Sequence, residues 1–577
     1  MKKLAIGVDD FKEIIKENFY YIDKTKFIED ILEDGSKVKL LNRPRRFGKT
    51  INMTTLKYFF DIKNAEENRK LFNNLYIEKS KYIEEQGKYP VIFLSLKEIK
   101  GKTWEEMLEQ IKNYISSMYN NFEYIREILN QKELKSFDKI WLEEEGNYET
   151  AIKDLTFYLY KYYKQEIILL IDEYDVPLIE AYLNNYYSDA IVFFKIFLGG
   201  ALKTNQYLKM GIMTGIIRVI KAGIFSDLNN LSVYTILDND YNEDFGLTEK
   251  EVEQALKDYN IFEELNDVKF WYDGYKIGNK EVYNPWSIIN FLKNKELKGF
   301  WIKTSGNQLI KKVLEDATPD VNEGFLKLFN GEDVEEVVTG TSDLSNLLNY
   351  RDVWELLVFS GYLTIKEKID RRNYILKIPN QEIREFFKDE FIDLYFGESK
   401  LKKILNALKE NNIEDFERIF QNMLLNSVST WDTSKEAFYH GLSFGMLSYL
   451  DGEYYVTSNF ESGYGRYDII AEPRNKNKRG FVIECKIVKD EKDLEKMSKE
   501  AIEQIKNKKY DTQLKERGIK EITLLGLAFC GKRMKVSFEW KVLIWIPKGT
   551  KNKSKNKFTY WYQWVNFFIY LITNYFT

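Results

Sequence analysis

A short apolar run at residues 38–41 feeds into Arg43-Pro44-Arg45-Arg46-Phe47-Gly48-Lys49-Thr50, and residues 51–60 then read as a helix. This succession of strand, loop and helix constrains the chain more than any other feature. A strand that hands the chain to a helix is normally followed by another strand running the same way. Further strand-like runs lie at 89–96, 166–171 and 208–216, separated by long helical or mixed stretches such as 104–129. Such alternation builds a parallel sheet with helices on both faces, so the N-terminal part is expected to be α/β.

The loop closes on Gly48-Lys49-Thr50, the second half of the pattern GxxxxGK[ST]. In that pattern backbone N–H groups cradle phosphates, the lysine meets the terminal oxygens and the hydroxyl helps to hold Mg²⁺. Arg43 stands where the first glycine would be, and Pro44 follows it, so hydrolysis is a weaker inference than binding. The strand at 166–171 delivers a second element, Asp172 and Glu173. In nucleotide hydrolases such an Asp holds the metal shell and the Glu polarises the attacking water.

Taken singly, these elements read more simply as a basic loop with a helix cap and a solvated strand end. Together, each at the end of an expected strand, they point to ATP and Mg²⁺. Arg45, Arg46, Gly48, Lys49, Thr50 and Asp172 are the candidate nucleotide contacts, Thr50 and Asp172 the candidate metal ligands, and Glu173 the candidate catalytic residue. The run Met213-Thr214-Gly215, with Arg218 after it, is a candidate sensor, where an arginine offsets charge in the transition state. Arg218 reads equally as a surface ion-pair partner.

At 577 residues the chain exceeds one compact core. The 86 Lys and Arg against 90 Asp and Glu leave a net charge of −4, so any nucleic-acid site is a local patch rather than a whole-molecule field. His440 is the single histidine, which removes Ser/His/Asp and Cys/His catalysis and His-ligated zinc. Carboxylates and lysines are left to carry the chemistry. Cys485 and Cys530 form no CxxC spacing, which fits a reducing cytoplasm. The opening residues are broken by Asp9 and Asp10 and do not read as a secretory signal.

Thr248 and Glu251 form a capping-box pattern, so a new helical unit is expected just after Gly246. We read 1–246 as the phosphate-binding domain, 247–430 as a helical lid and connector with few strands, 431–548 as a small α/β domain, and 549–577 as a basic linker and aromatic tail. The tail barely qualifies as a membrane span, and no stable insertion is expected.

In the C-terminal domain Asp468 sits within a strand-like run, and Glu484 and Lys486 lie two apart on the next, hence on one face. If the strands are neighbours, Asp468 faces both. Two carboxylates can hold Mg²⁺ against a phosphodiester while the lysine steadies developing charge. The ordinary alternative is a solvated strand face, but Glu484 and Lys486 interrupt an apolar strand, where burying charge needs a reason. Gln504 on the following helix is within reach. Lys506, Lys508 and Lys509 suit a phosphate backbone, although a solvated helix face explains them more simply. Glu436 reads as a cap partner of Thr433 or as a third carboxylate.

The phosphate-loop run, the Asp172 run to Asp175, the stretch 225–231, Trp271-Tyr272-Asp273-Gly274-Tyr275 and Tyr283-Asn284-Pro285-Trp286-Ser287 together resemble the bacterial AAA-ATPase-like family. Its members usually carry a C-terminal PD-(D/E)xK nuclease domain. Residues 436–441, 458–463, 465–468, 484–486 and 501–505 look like that domain. The resemblance covers about residues 5–547 and makes Arg43 a family trait. It implies that Asp468 and Glu484 are metal ligands, Lys486 the catalytic lysine and Gln504 a supporting residue. Two departures stand out: Phe460 occupies a position where a basic residue is expected, and the tail after Lys548 has no counterpart.

The expected whole is therefore an enzyme, an ATPase coupled to a Mg²⁺-dependent nuclease-like domain, acting on DNA or RNA with DNA the stronger expectation. The resemblance leaves a homo-oligomer open. The alternative is a nucleotide-dependent switch or scaffold that binds nucleic acid or protein without cutting it.

Overall fold

A computed structural model describes the chain except for residues 218–228, 302–307, 316–320, 322–323, 326, 329–330, 341–349, 396–397, 428–435, 451, 459–460 and 543–577. It divides into two compact units. One comprises Met1–Tyr449 with Cys530–Arg533, and the other Leu450–Phe529 with the described residues from Met534 on.

The first unit is built on five parallel strands: β1 (Val38–Asn42), β2 (Val91–Ser95), β3 (Ile167–Asp172), β4 (Leu208–Gly215) and β5 (Leu231–Tyr234), in the order β2-β3-β4-β1-β5. β1 and β3 are buried along their whole length, as strands covered on both faces must be. In β3 the apolar run Ile167–Ile171 supplies that burial, whereas β1 buries Lys39 and Asn42 along with Val38, Leu40 and Leu41. Crossovers through helices bring the carboxyl ends of β1, β3 and β4 side by side, with Leu41 level with Thr214 and Ile171 level with Met213. Ligands of parallel sheets bind at such ends.

The expected boundary helix forms as Glu249–Asp258, and its capping box closes in both directions between Thr248 and Glu251. The stretch beyond it is mostly helical, and it also holds a few short strands. A hairpin of β6 (Tyr275–Ile277) and β7 (Lys280–Val282) is followed by an antiparallel sheet, β8-β10-β9, made of β8 (Val334–Val337), β9 (Thr364–Lys368) and β10 (Asn373–Lys377). These strands are short, and β8 and β9 carry charged residues on exposed positions, so their alternation is faint in sequence. One hydrophobic core runs from Phe11 through the central sheet to Phe387, joining this region to the parallel sheet. A separate cluster around Val252, Tyr272 and Phe291 supports the boundary helix.

The second unit is a mixed sheet in the order β11-β14-β15-β16-β17, from β11 (Tyr454–Ser458), β14 (Ile469–Pro473), β15 (Gly480–Ile487), β16 (Glu521–Cys530) and β17 (Arg533–Val542), with a small side hairpin of β12 (Glu461–Ser462) and β13 (Gly465–Arg466). β15 runs antiparallel to β14 and parallel to β16. The parallel pair is joined through the helix Leu494–Lys508, which packs on β15. Gly526 permits that packing, because a Cβ there would strike the Ser498 carbonyl and press on Ala501. The sequence reading ran β13 and β14 together as one strand. The chain instead breaks at Tyr467 and Asp468, where the Tyr467 ring turns into the core.

Among the described residues, no helix is long and apolar enough to cross a membrane.

Candidate functional site

At the carboxyl end of β1 the backbone turns through Arg46, at φ 65°, and Gly48, at φ 82°, before the helix Lys49–Phe60 begins. Gly48 caps that helix in the left-handed region, where a side chain would be strained, and an added Cβ there meets no atom within 4 Å. The loop thus presents open space in front of a helix N-terminus, the geometry that favours a phosphate. Lys49 is buried, and its Nζ donates to the carbonyls of Arg43 at 3.2 Å and Pro44 at 2.9 Å. Burial lowers its pKa, against the pull of Glu173, Asp175 and Asp172.

Thr50 and Asp172 are in direct contact. The Thr50 hydroxyl donates to Asp172 Oδ2 at 2.8 Å, and the Thr214 hydroxyl donates to Oδ1 at 2.6 Å. Asp172 has no exposed surface, and burial, followed by the neighbouring Glu173 charge, pushes its carboxyl up to about 6. The Glu173 backbone, at φ 53°, donates to Thr214 Oγ1 at 3.3 Å. Thr214 therefore orients the acidic pair; in the sequence it read only as part of the sensor strand. Arg218 lies outside the described residues.

Asp175 received no role from the sequence. It is fully buried, and its Oδ2 accepts the backbone N–H groups of Ile216 at 2.7 Å and Ile217 at 3.0 Å, fixing the turn after β4. Gly215 makes room for this arrangement, since a Cβ there would clash with the Tyr174 ring. The signal was present as a second carboxylate three residues after Asp172.

Arg43 does not enter the phosphate cradle. Its guanidinium is fully buried and donates to the carbonyls of Asn42, Tyr234, Asp240 and Tyr241, with the Phe245 ring 5.2 Å away. Burial brings it down to about 10, so it stays charged at neutral pH. Asn52 adds a bond to the Asp244 carbonyl, and the Phe47 carbonyl accepts the Gly246 N–H. The loop is held from behind by the segment after β5.

In front of the loop lies a cavity of about 570 Å³. Arg45, Arg46, Gly48, Lys49, Thr50 and Glu173 line its polar part, and Ile179, Leu183, Ile289, Trp301 and Leu309 an apolar part. Arg46 stacks on Trp286 at 4.3 Å, and its pKa is lowered by burial. A polar end joined to an apolar end matches the two halves of a nucleotide, and the volume is in the range of small-molecule sites.

In the second unit Ile469 pairs with Ile483 across β14 and β15, and Asp468 and Glu484 are the residues next to that pair, Asp468 in the bend that leads into β14. Asp468 Oδ2 accepts the Cys485 N–H at 2.7 Å, which ties it to β15. Glu484 is 1% exposed. Its Oε1 accepts from Lys486 Nζ at 2.8 Å and from Gln504 Nε2. Gln504 also bonds Tyr510, a neighbour the sequence did not single out.

Asp468, Glu484, Lys486 and Gln504 are thus brought together. Among the described residues no group of three or more His, Cys, Asp or Glu gathers as for a metal ion. Two carboxylates suit Mg²⁺, which commonly takes one or two from the protein and the rest from water and phosphate. Lys506 is drawn away into ion pairs with Glu503 and Glu539. The Glu436 side chain, Thr433 and Phe460 lie outside the described residues.

Residues 5–225 match the family described as predicted AAA-ATPase, and residues 434–539 match the PD-(D/E)XK nuclease superfamily. A protein of Azotobacter chroococcum mcd 1, named as an uncharacterized protein in the vnfD 5' region, is 23% identical over 558 residues, covering 92% of this chain and 96% of the relative.

Proposed function

From an architecture that joins an AAA-ATPase-like segment to a PD-(D/E)XK nuclease segment, we propose that this chain binds and hydrolyses ATP in its first unit and cuts nucleic-acid phosphodiesters in its second. DNA is the preferred substrate, and the nucleotide state of the first unit governs cutting by the second. The observation that carries the reading is Glu484 Oε1, where a buried carboxylate meets both Lys486 and Gln504 while the next residue, Cys485, holds Asp468 through its N–H. A carboxylate at that depth is costly unless a cation compensates it, and such carboxylates gather at functional sites.

In the first unit Gly48 and the helix N-terminus behind it receive the phosphates, and Lys49 exchanges the Arg43 and Pro44 carbonyls for phosphate oxygens. Thr50 and Asp172 hold the Mg²⁺ that travels with the nucleotide, and Thr214 keeps Asp172 aimed. Glu173 orients the attacking water, and Arg45 and Arg46 meet the phosphates from the loop.

In the second unit Asp468 and Glu484 hold Mg²⁺, which supplies Lewis acidity and offsets charge at the scissile phosphate. Lys486 positions the attacking water and compensates negative charge as it develops. Gln504 fixes the Glu484 carboxylate so that its other oxygen keeps one orientation.

The test is Mg²⁺-dependent cleavage of single-stranded and duplex DNA and RNA by wild type and Lys486→Ala. Cutting by wild type alone supports the reading, and equal cutting by both would assign the activity to a contaminant. Binding without cutting under every condition would leave the non-cleaving scaffold. Control by the nucleotide fails if Lys49→Ala leaves cleavage unchanged in the presence of ATP.

A further inference from the structure

Beside the carboxylate and lysine cluster stands the β12–β13 hairpin, which carries none of the groups used above. Its pairs are Glu461 with Arg466 and Ser462 with Gly465, so Gly463 and Tyr464 form a two-residue tip. Gly463 has φ 63°, as tight hairpins require at their first central position. The tip is seated on the end of the helix Leu494–Lys508. The Tyr464 N–H donates to the Lys508 carbonyl at 2.7 Å, and the Ser462 hydroxyl to the Tyr510 carbonyl at 2.9 Å. A Cβ at position 463 would collide with the Lys508 carbonyl, so glycine is also what lets the tip sit this close.

This rigid mounting presents an aromatic ring to water. Tyr464 is 69% exposed. The Lys509 ammonium stands 5.0 Å from the ring centroid, and Arg466 and Lys508 are exposed beside it. Along the chain the same residues stand close to those of the chemical centre. Arg466 is two positions before Asp468, and Lys508 is one helical turn after Gln504. Tyr510 bonds Gln504 and feels the charges of Glu484, Asp468 and Lys486. An exposed ring amid cations, fixed by backbone bonds at the edge of a phosphodiester site, matches the way proteins hold single-stranded nucleic acid: bases stack and phosphates meet the cations.

We propose that Tyr464 is a stacking platform for an unpaired base next to the scissile phosphate, with Arg466, Lys508 and Lys509 on the flanking phosphates. The substrate is then single-stranded or locally unpaired where it is cut. This rests on the nuclease reading of the second unit.

The test uses the full chain in EDTA, so that binding is read without cleavage, with fluorescence anisotropy on labelled single-stranded DNA, single-stranded RNA and duplex DNA. Tyr464→Ala is expected to weaken single-strand binding about ten-fold, and Tyr464→Phe to restore it. Duplex binding is expected to change less than two-fold, and the melting temperature of the variants to match wild type. A wild-type protein that prefers duplex, or a Tyr464→Ala protein that binds single strands as wild type does, overturns the platform while leaving the nuclease reading standing. Failure of wild type to bind any of the three probes sinks both.

Discussion

The two candidate sites contain the same ingredients, a buried carboxylate and a lysine, yet compensate the charges differently. In the first unit Asp172 is held by two threonine hydroxyls and Lys49 by two backbone carbonyls, so neutral dipoles tether each charge. In the second unit Lys486 bonds Glu484 directly, and Gln504 takes the same oxygen. The first arrangement keeps both charges ready for an incoming phosphate and metal, at the cost of a carboxyl pushed up to about 6. In the second, anion and cation already balance within the strand, and the pair enters the chemistry as a unit.

Breaking the second arrangement is expected to have the largest effect. Lys486→Ala removes the cation bonded to buried Glu484, so cleavage is expected to fall about 10²–10³-fold. The second unit is expected to lose about 3 kcal/mol, because an unpaired buried charge is costly. Thermal unfolding of wild type, Lys486→Ala and the Glu484→Gln/Lys486→Ala pair checks this, since removing both charges should recover most of the loss. Equal melting of all three would contradict the idea that the two charges compensate each other.

Next in size is Lys49→Ala. Here the tethers are backbone carbonyls, so the fold should persist while ATP binding weakens by about 1.5–3 kcal/mol, roughly 10- to 150-fold in Kd. Titration with a fluorescent ATP analogue reads it directly.

Asp172→Asn sharpens the contrast through pH. The carboxyl titrates near 6 in the fold and near 3.8 as a free side chain, so the folded state holds its proton more tightly. Stability from that proton is complete below pH 3.8 and is lost as pH rises through 6. The amide stays neutral throughout, and threonine hydroxyls can donate to it or accept from it. Without nucleotide, Asp172→Asn is therefore expected to be more stable than wild type at pH 8 by about 1–2 kcal/mol, net of weaker hydrogen bonds. The gap should close below pH 4. Mg²⁺-dependent nucleotide binding by wild type should weaken as pH falls below 6.

The smallest effect belongs to Lys506→Ala. Its ammonium is spent on Glu503 and Glu539 at the surface, so nucleic-acid affinity is expected to change less than two-fold and stability by under about 1 kcal/mol. A large loss of binding would return Lys506 to the phosphate path.

Sequence periodicity revealed the parallel sheet because β1, β3 and β4 are buried runs whose carboxyl ends carry the polar residues. Glu484 and Lys486 were legible for the same reason, being charges in an apolar strand. Residues that act from a different strand were not. The hydroxyl of Thr214 on Asp172 and the tie from Cys485 N–H to Asp468 depend on which strands lie side by side, and one chain read in order does not disclose that. The strands of the connector escaped because alternation over a few charged residues resembles a loop. Arg43 was read as a disturbance of the cradle because the motif counts positions along the chain, whereas the side chain points behind the loop.

That last placement changes what repair would mean here. Restoring glycine at position 43 would bring the loop closer to the usual signature, yet it would cut the chain's grip on four carbonyls and empty the space against Phe245. The wall of the binding site would be free to drift from the segment that braces it. In this scaffold the irregular letter is the keystone, and an engineer guided by consensus alone would remove it first.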